Sequence, residues 1–285
     1  MTTAPGPAAG RPWLIALLPG AFLFLFFGLP NALLLTISFL KSEAQQLTGE
    51  LTLENYTFLF GERVYLQALA RTFIVGLSVG LIDVVLAFPL AYFLVRTPSR
   101  WRGLLIALSF TPLLASVVVR TYGWYIVLNR FGIANDLMLW LGLTTDRISL
   151  MPSTGAIIVG LAHALLPYTV LTLMGSIGGI NPSLELAAMS LGANRRRTFF
   201  SVVLPLCAPG LIGGFILAFS TAISAYATPA ILGGPATLVM ATAIYAFMTQ
   251  LLDWSIGAAL AVVLTVSTLI LFFIAARFGA RTATI

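Results

Sequence analysis

Residues Leu184–Gly210 read LELAAMSLGANRRRTFFSVVLPLCAPG. The stretch combines a short helical pattern, a glycine, three consecutive arginines and a second helical pattern, all between two strongly apolar segments. An ordered polar element in such surroundings needs a partner to touch, and it points to a membrane subunit that takes force from a soluble one. Leu184, Ala187, Ala188 and Leu191 recur at i, i+3, i+4 and i+7, which places them on one helix face. Gly192 suits the left-handed residue that closes a helix, and Asn194 is placed to cap the next one. Arg195, Arg196 and Arg197 then fall in a first turn, where each cation opposes the helix dipole by roughly a few tenths of a kcal/mol. Either the cytoplasmic excess of basic residues, with its anionic headgroups, or an acidic partner surface favours them there.

Composition says what surrounds this element. The 285 residues are 59% hydrophobic and 8% charged, with a mean hydropathy of +1.02; soluble domains carry about 25% charged residues. Several nearly uncharged runs are long enough to cross a hydrocarbon layer of about 30 Å. The chain therefore reads as an all-α polytopic membrane protein, since a β-barrel would show short alternating segments instead. We expect six spans, near 13–40, 68–95, 104–127, 154–178, 204–230 and 255–277, in one transmembrane domain covering 1–285. Arg11, Arg96, Arg100, Arg102, Arg195, Arg196, Arg197, Arg277 and Arg281 fall in alternate connections or termini. Glu43, Glu50, Glu54, Glu62, Asp136, Asp146 and Asp253 fall in the others. The basic side is cytoplasmic by the positive-inside rule, so both termini, including a short segment 1–12, are expected inside. The first apolar run is too long for a cleaved signal peptide. A net charge of +6 distributed in this way needs no nucleic-acid partner. The single cysteine, Cys207, excludes an internal disulfide or a cysteine metal cluster and reads as a small apolar core residue. Small residues in the fifth and sixth spans (Gly210, Gly213, Gly214, Ala218, Ala222; Gly257, Ala258, Ala259, Ala261) suit close helix packing. The outer loop 41–66 is the longest, and loop 129–153 carries an amphipathic piece, Ile133–Leu143.

The opening stretch resembles the cytoplasmic loop of bacterial ABC importer permeases, written E-A-A-x-x-x-G followed by I/V-x-L-P. The matches are Ala187, Ala188, Gly192, Val203, Leu204 and Pro205. The motif's glutamate position holds Leu186, and the acid stands one residue earlier, at Glu185. Further segments resemble the spermidine/putrescine branch: Val118–Trp124 (VVRTYGW), Asn129–Asn135 (NRFGIAN), Tyr226–Gly234 (YATPAILGG), and Pro89, Ala91 and Tyr92. The likeness covers roughly residues 60–275, and the branch also takes opines and phosphonates. It implies a six-helix type I importer fold in the bacterial inner membrane, not itself an enzyme, working by alternating access. It implies as partners a second permease, two ATP-binding subunits that carry the ATP and Mg, and a periplasmic or lipid-anchored solute-binding protein. It also implies that 184–205 is a coupling loop, with Glu185, Leu186, Ala187, Ala188, Met189 and Gly192 at the ATPase. Leu186 and Met189, turned away from the Leu184/Ala187/Ala188/Leu191 face, would enter the partner's groove, and Glu185 would pair with a basic residue at its edge.

Other residues are candidates for the solute path. Asp83 is the acid deepest within a span, thirteen residues (about 20 Å) from Arg96. Such a group faces a cavity or a partner by default. It is a counter-ion for a cationic solute, part of a structural pair with Arg71 or Arg120, or hydrogen-bonded to helix-packing hydroxyls. Arg120, among Tyr122, Trp124 and Tyr125, could brace the outer mouth through cation–π contacts, bind an anionic solute, or sit within an interfacial aromatic belt. His163 reads as a packed, hydrogen-bonded core histidine, because it lacks the companions a metal site needs. Tyr226, Thr228 and Pro229 sit where the fifth span is expected to end or break, and broken helices line solute paths in transporters. The chain has no G-x-x-x-x-G-K-[ST] loop and no catalytic triad. It therefore cannot hydrolyse ATP alone, and no cofactor is expected on it. A self-sufficient secondary carrier is the competing class.

Overall fold

The computed structural model describes residues 12–43 and 45–282. Arg11 with the rest of 1–11, Ala44, residues 283–285 and the side chain of Arg281 lie outside the described residues. In chain order the elements are α1 (Pro12–Leu23), a π-helical turn Phe24–Gly28, α2 (Leu29–Ser38), β1 (Leu40–Glu43), β2 (Gln46–Leu51), α3 (Glu54–Gly61), α4 (Arg63–Arg96), α5 (Arg102–Leu114), α6 (Val117–Leu128) and α7 (Ile133–Trp140). There follow α8 (Thr154–Gly178), α9 (Pro182–Ser190), α10 (Arg195–Thr198), a π-helical turn Phe199–Val203, α11 (Leu204–Leu206), α12 (Ala208–Ser224), α13 (Ala227–Leu232), α14 (Met240–Tyr245) and α15 (Trp254–Thr282).

Among the described residues four helices are long and apolar enough to cross a membrane alone: Leu17–Ser38, Arg63–Arg96, Thr154–Gly178 and Trp254–Ile274. Two bent pairs complete the expected six. The fourth span coincides with α8, which opens on a cap: Ser153 Oγ accepts from the Ala156 amide at 3.0 Å. The third span departs from expectation. Instead of one helix over 104–127, α5 stops at Leu114 and the helices from Val117 continue at 102° to it. Pro112 cannot donate to the preceding turn, and Ser116 takes extended ψ, 140°. The end-turn carbonyl of Pro112 is served by Arg120, whose Nη1 donates to it at 2.5 Å. The fifth span is broken too. The Arg195–Leu206 segment meets Ala208–Ser224 at 62°, just before Pro209, and the helix stops again at Ala225, which is extended with ψ 127°. The break expected near Tyr226 is therefore present. Two π-helical turns stand immediately ahead of Pro30 and Pro205, where the missing proline amide breaks the i→i−4 ladder and a wider turn accommodates the loss.

The chain divides into two compact units. In the unit formed by the stretch up to Glu62 and by 244–285, α2 and α3 pack on α15. The loop between α2 and α3 holds the one sheet among the described residues, the antiparallel β1–β2 hairpin turning at Gln45, φ 65°. Asn55 secures its base, donating to the carbonyls of Ser38 and Leu40 at 2.9 and 3.0 Å. In the Arg63–Ala243 unit, α4, α8 and α12 form the core. One apolar cluster joins Val75, Val79, Ile157, Leu161, Leu165, Ala218 and Leu232. A second joins Ala87, Leu94, Val170, Leu173, Ile177 and Cys207, and the cysteine is fully buried. The backbones approach at small residues, as membrane helices without a hydrophobic driving force require. Gly214, Ala218 and Ala222 of α12 are buried as expected. Gly80 of α4 lies so close to Phe215 that a Cβ there would stand 2.8 Å from its ring. The NRFGIAN segment is structural: fully buried Asn135 donates to the carbonyls of Asn129 and Ile148 and accepts from the Ile148 amide, pinning the loop after α7.

Candidate functional site

The opening stretch folds as an elbow hung below α8. Asn181 caps α9, its Oδ1 accepting from the Ser183 amide at 3.0 Å, with Pro182 in the first turn. The helix ends as expected at Gly192, φ 89°. The Gly192 and Ala193 amides donate back to the carbonyls of Met189 and Ala188 at 3.0 and 3.1 Å. These two bonds are the paired closure that a left-handed residue makes possible. Asn194 then caps α10, accepting from the Arg197 amide at 2.8 Å. Every turn of this element is specified by a residue visible in the sequence.

The orientation of α9 corrects two expectations. Its inward face is not Leu184/Ala187/Ala188/Leu191: no α9 residue is buried, and Glu185 and Ala188 are the half-buried ones together. Leu184 is 46% exposed, Leu186 62%, Met189 38% and Leu191 89%. The helix therefore offers an apolar ridge on several sides, a larger free surface than the expected pair of residues. Glu185 does not reach outward to a partner. Its Oε1 lies 2.9 Å from Arg96 Nε, and its Oε2 accepts from Tyr92 Oη at 3.0 Å. Arg96 Nη2 also donates to the Ile180 carbonyl at 2.9 Å. A carboxylate on a helix with no buried apolar anchor turns toward a cation at the end of α4, where its charge is satisfied. Tyr92, Arg96, Glu185, Leu186, Met189 and Thr198 line a cavity of about 650 Å³ beside the elbow, with Arg195 and Arg196 at its edge. The sequence carried a signal for this pairing in Tyr92 and Arg96, spaced i, i+4 at the end of a helix.

A second cavity, of about 400 Å³, lies at the broken spans. It brings together three of the expected path residues, Arg120, Tyr226 and Thr228, and adds Tyr168, Thr221 and Ser224. The last two sit one turn apart just before the helix break, a spacing the sequence contained. Thr228 Oγ1 lies 3.1 Å from Thr121 Oγ1, both residues buried, and the pair ties α13 to α6. Arg120 brings the one formal charge of this lining, beside the hydroxyls of Tyr168, Tyr226, Thr221, Ser224 and Thr228.

The other expected path residues lie elsewhere. Tyr122 pairs its ring with Tyr125 at 6.2 Å on the exposed side of α6. Trp124 Nε1 donates to His163 Nδ1 at 3.2 Å. His163 is thus hydrogen-bonded as expected, yet it stands on the exposed side of α8 rather than in the core. Asp83 is fully buried, and neither carboxylate oxygen has a hydrogen-bond partner. It pairs with neither expected arginine: Arg71 donates to the Leu238 carbonyl and Arg120 to that of Pro112. On α4 it falls between Val79 and Ala87, which belong to the two apolar clusters, so it occupies a helix-packing face and not a cavity wall. Among the described residues no three His, Cys, Asp or Glu come together as a metal site would require.

Comparison with known proteins meets this geometry. The family described as binding-protein-dependent transport system inner membrane component matches residues 68–284. The chain is 34% identical over 246 residues to the spermidine/putrescine transport system permease protein PotB of Escherichia coli (strain K12), covering 86% of this chain and 89% of that one. It is 30% identical to PotB of Haemophilus influenzae, covering 89% of both. Among solved structures, a bacterial ABC transporter that imports the acidic polysaccharide alginate superposes with a TM-score of 0.75 at 20% identity, over 95% of this chain and 96% of that one. At that identity the likeness is one of fold.

Proposed function

This chain belongs to the binding-protein-dependent transport system inner membrane components, the permeases of ABC importers, and from that membership we propose that it passes polyamines such as spermidine or putrescine. The observation that carries the mechanical part is α9: a short helix closed at both ends by its own caps, presenting Leu184, Leu186, Met189 and Leu191 to the outside. Exposed apolar residues in a rigid polar element are a docking surface, and we assign it to an ATP-binding subunit on the cytoplasmic side. Leu186, at the motif's acidic position, docks by burial, with Ala187, Ala188 and Gly192 fixing the helix's shape. The termini are cytoplasmic, in keeping with the positions of the arginines. A second permease completes the path, two ATP-binding subunits supply ATP and Mg, and a periplasmic or lipid-anchored binding protein delivers the solute. The cycle is alternating access: closure of the ATPase pair moves the elbows, and the broken third and fifth spans open the cavity at Arg120, Tyr226 and Thr228 to one side and then the other.

The solute class rests on the similarity to the PotB proteins. One observation favours a second reading: the cavity carries Arg120 and no carboxylate, which suits an anionic group such as that of an opine or phosphonate. Complementation separates the two. In cells lacking their own polyamine importers, this chain with its cognate subunits is expected to restore labelled putrescine or spermidine uptake, resistant to competition by phosphonates. Restoration of phosphonate or opine uptake alone would replace the polyamine reading.

A further inference from the structure

We propose that Arg96, with Tyr92 one turn before it, is the joint through which movement of α9 enters the membrane-spanning helices. The inference rests on the assignment of α9 as the ATPase-docking helix and names what that assignment leaves open, the route of the force.

No residue of α9 is buried, and the helix packs chiefly on the Phe199–Val203 turn and α10 of its own elbow rather than on α4. Its side-chain tie to a membrane-spanning helix is Glu185, held on both oxygens by α4: Oε1 at 2.9 Å from Arg96 Nε and Oε2 at 3.0 Å from Tyr92 Oη. The same guanidinium donates to the Ile180 carbonyl, in the turn joining α8 to α9. Tyr92 also grips the other limb of the elbow, its ring meeting Phe199 edge-on at 5.7 Å. Two residues i, i+4 on the last turns of α4 therefore hold the exit of α8, the docking helix and the start of the fifth span. A push on α9 that reaches α4 passes through this contact.

The pair's environment suits a strut rather than a surface ornament. Its side chains are 14% and 15% exposed, against 34–60% for the ion pairs Lys41–Glu43 and Arg147–Asp136. Exposed pairs contribute little and are screened, whereas separating a shielded pair leaves an uncompensated charge. Arg96 Nε and Glu185 Oε1 are within charge contact but off the hydrogen-bond axis. The bonds to the Ile180 carbonyl and from Tyr92 Oη are aligned hydrogen bonds. Glu185 is thus held by charge at Arg96 and by a directional bond at Tyr92.

The test uses the assembled transporter in nanodiscs and two readouts, solute moved per ATP hydrolysed and amide exchange across 184–191. Arg96→Gln is expected to assemble and hydrolyse ATP while transport per ATP falls about tenfold, on the scale of ordinary coupling energies. Arg96→Lys, which keeps a charge but loses the planar fork that spans Glu185 and the Ile180 carbonyl, falls between. Tyr92→Phe loses less, and the exchange R96E with E185R recovers part of the loss. Amide exchange in 184–191 rises in Arg96→Gln while that of α4 and α8 stays protected. An unchanged transport-to-ATP ratio with unchanged exchange overturns the proposal, as does a loss of assembly that the charge exchange fails to recover. If the wild-type complex itself does not link ATP to uptake, the functional reading fails. The exchange measurement still decides whether Arg96 holds α9.

Discussion

Leu186→Asp is the sharpest perturbation of the docking surface. Full burial of a leucine side chain is worth roughly 1.5–3 kcal/mol. Leu186 has 62% of its surface still exposed, so docking can recover roughly 1–2 kcal/mol from it. An aspartate forfeits that gain and adds an unpaired polar group in a closed interface, a further cost of about 1–3 kcal/mol. The sum corresponds to an association weaker by about thirtyfold or more. The assay is the affinity of the cognate ATP-binding subunit for the chain in nanodiscs, with Leu186→Met as the size-matched apolar control. Ser190→Asp, exposed on the same helix, controls for charge alone. Leu191→Asp is expected to cost at least as much, because more of its surface is free. Affinity for Leu186→Asp within about threefold of wild type, or an equal loss in Ser190→Asp, would refute the reasoning, since burial of an exposed apolar side chain is what it invokes.

Three further substitutions probe the scaffold. Gly192→Ala meets no neighbouring atom but forces φ 89° on a side chain, at about 1–2 kcal/mol; faster proteolysis within 190–194 is expected, and unchanged cleavage would contradict the closure of α9. Gly80→Val places a Cβ 2.8 Å from the Phe215 ring, and overpacking of about 1–3 kcal/mol should lower the thermal midpoint in detergent; an unchanged midpoint would mean that α4 and α12 are less closely packed. Asp83→Asn keeps the shape of a side chain that has no hydrogen-bond partner, so the KM for solute should stay within about twofold; a large rise would return Asp83 to the solute path.

What could be read from the residues, and what could not, follows from where the determining contacts lie. Gly192 and Asn194 announced the elbow because caps are local: each satisfies backbone groups within a few residues of itself. The approximate positions of the spans followed from the apolar runs, and α8 matches its expected limits, whereas α4 starts five residues earlier than expected and the third and fifth spans are broken. The bend at Ala115–Ser116 was not legible, because Pro112 is tolerated in straight membrane helices as well as bent ones. Here the arrangement includes a guanidinium eight residues on. The inward face of α9 is not legible in the sequence, because its leucines lie on more than one side and a contact 89 residues away, Arg96 to Glu185, sets its rotation. Asp83 illustrates the same limit. An intramembrane acid favours a cavity on general grounds, yet the packing of α4 against its neighbours encloses it between two apolar clusters. Conversely Thr221 and Ser224 carry no signal in the sequence, because hydroxyls in membrane helices commonly bond to their own backbone, as both do here. Only the break after Ser224 turns that face into a cavity wall.

The central claim is that this chain moves solute only when a separate subunit spends ATP. Proteoliposomes containing the chain, its partner permease and the ATP-binding subunits, supplied outside with the binding protein and labelled solute, test it directly. The account predicts uptake with ATP inside, none with a non-hydrolysable analogue, and reduced uptake when Leu186→Asp replaces the wild-type chain. Uptake that persists without ATP, or that follows an ion gradient instead, would contradict it and restore the secondary carrier.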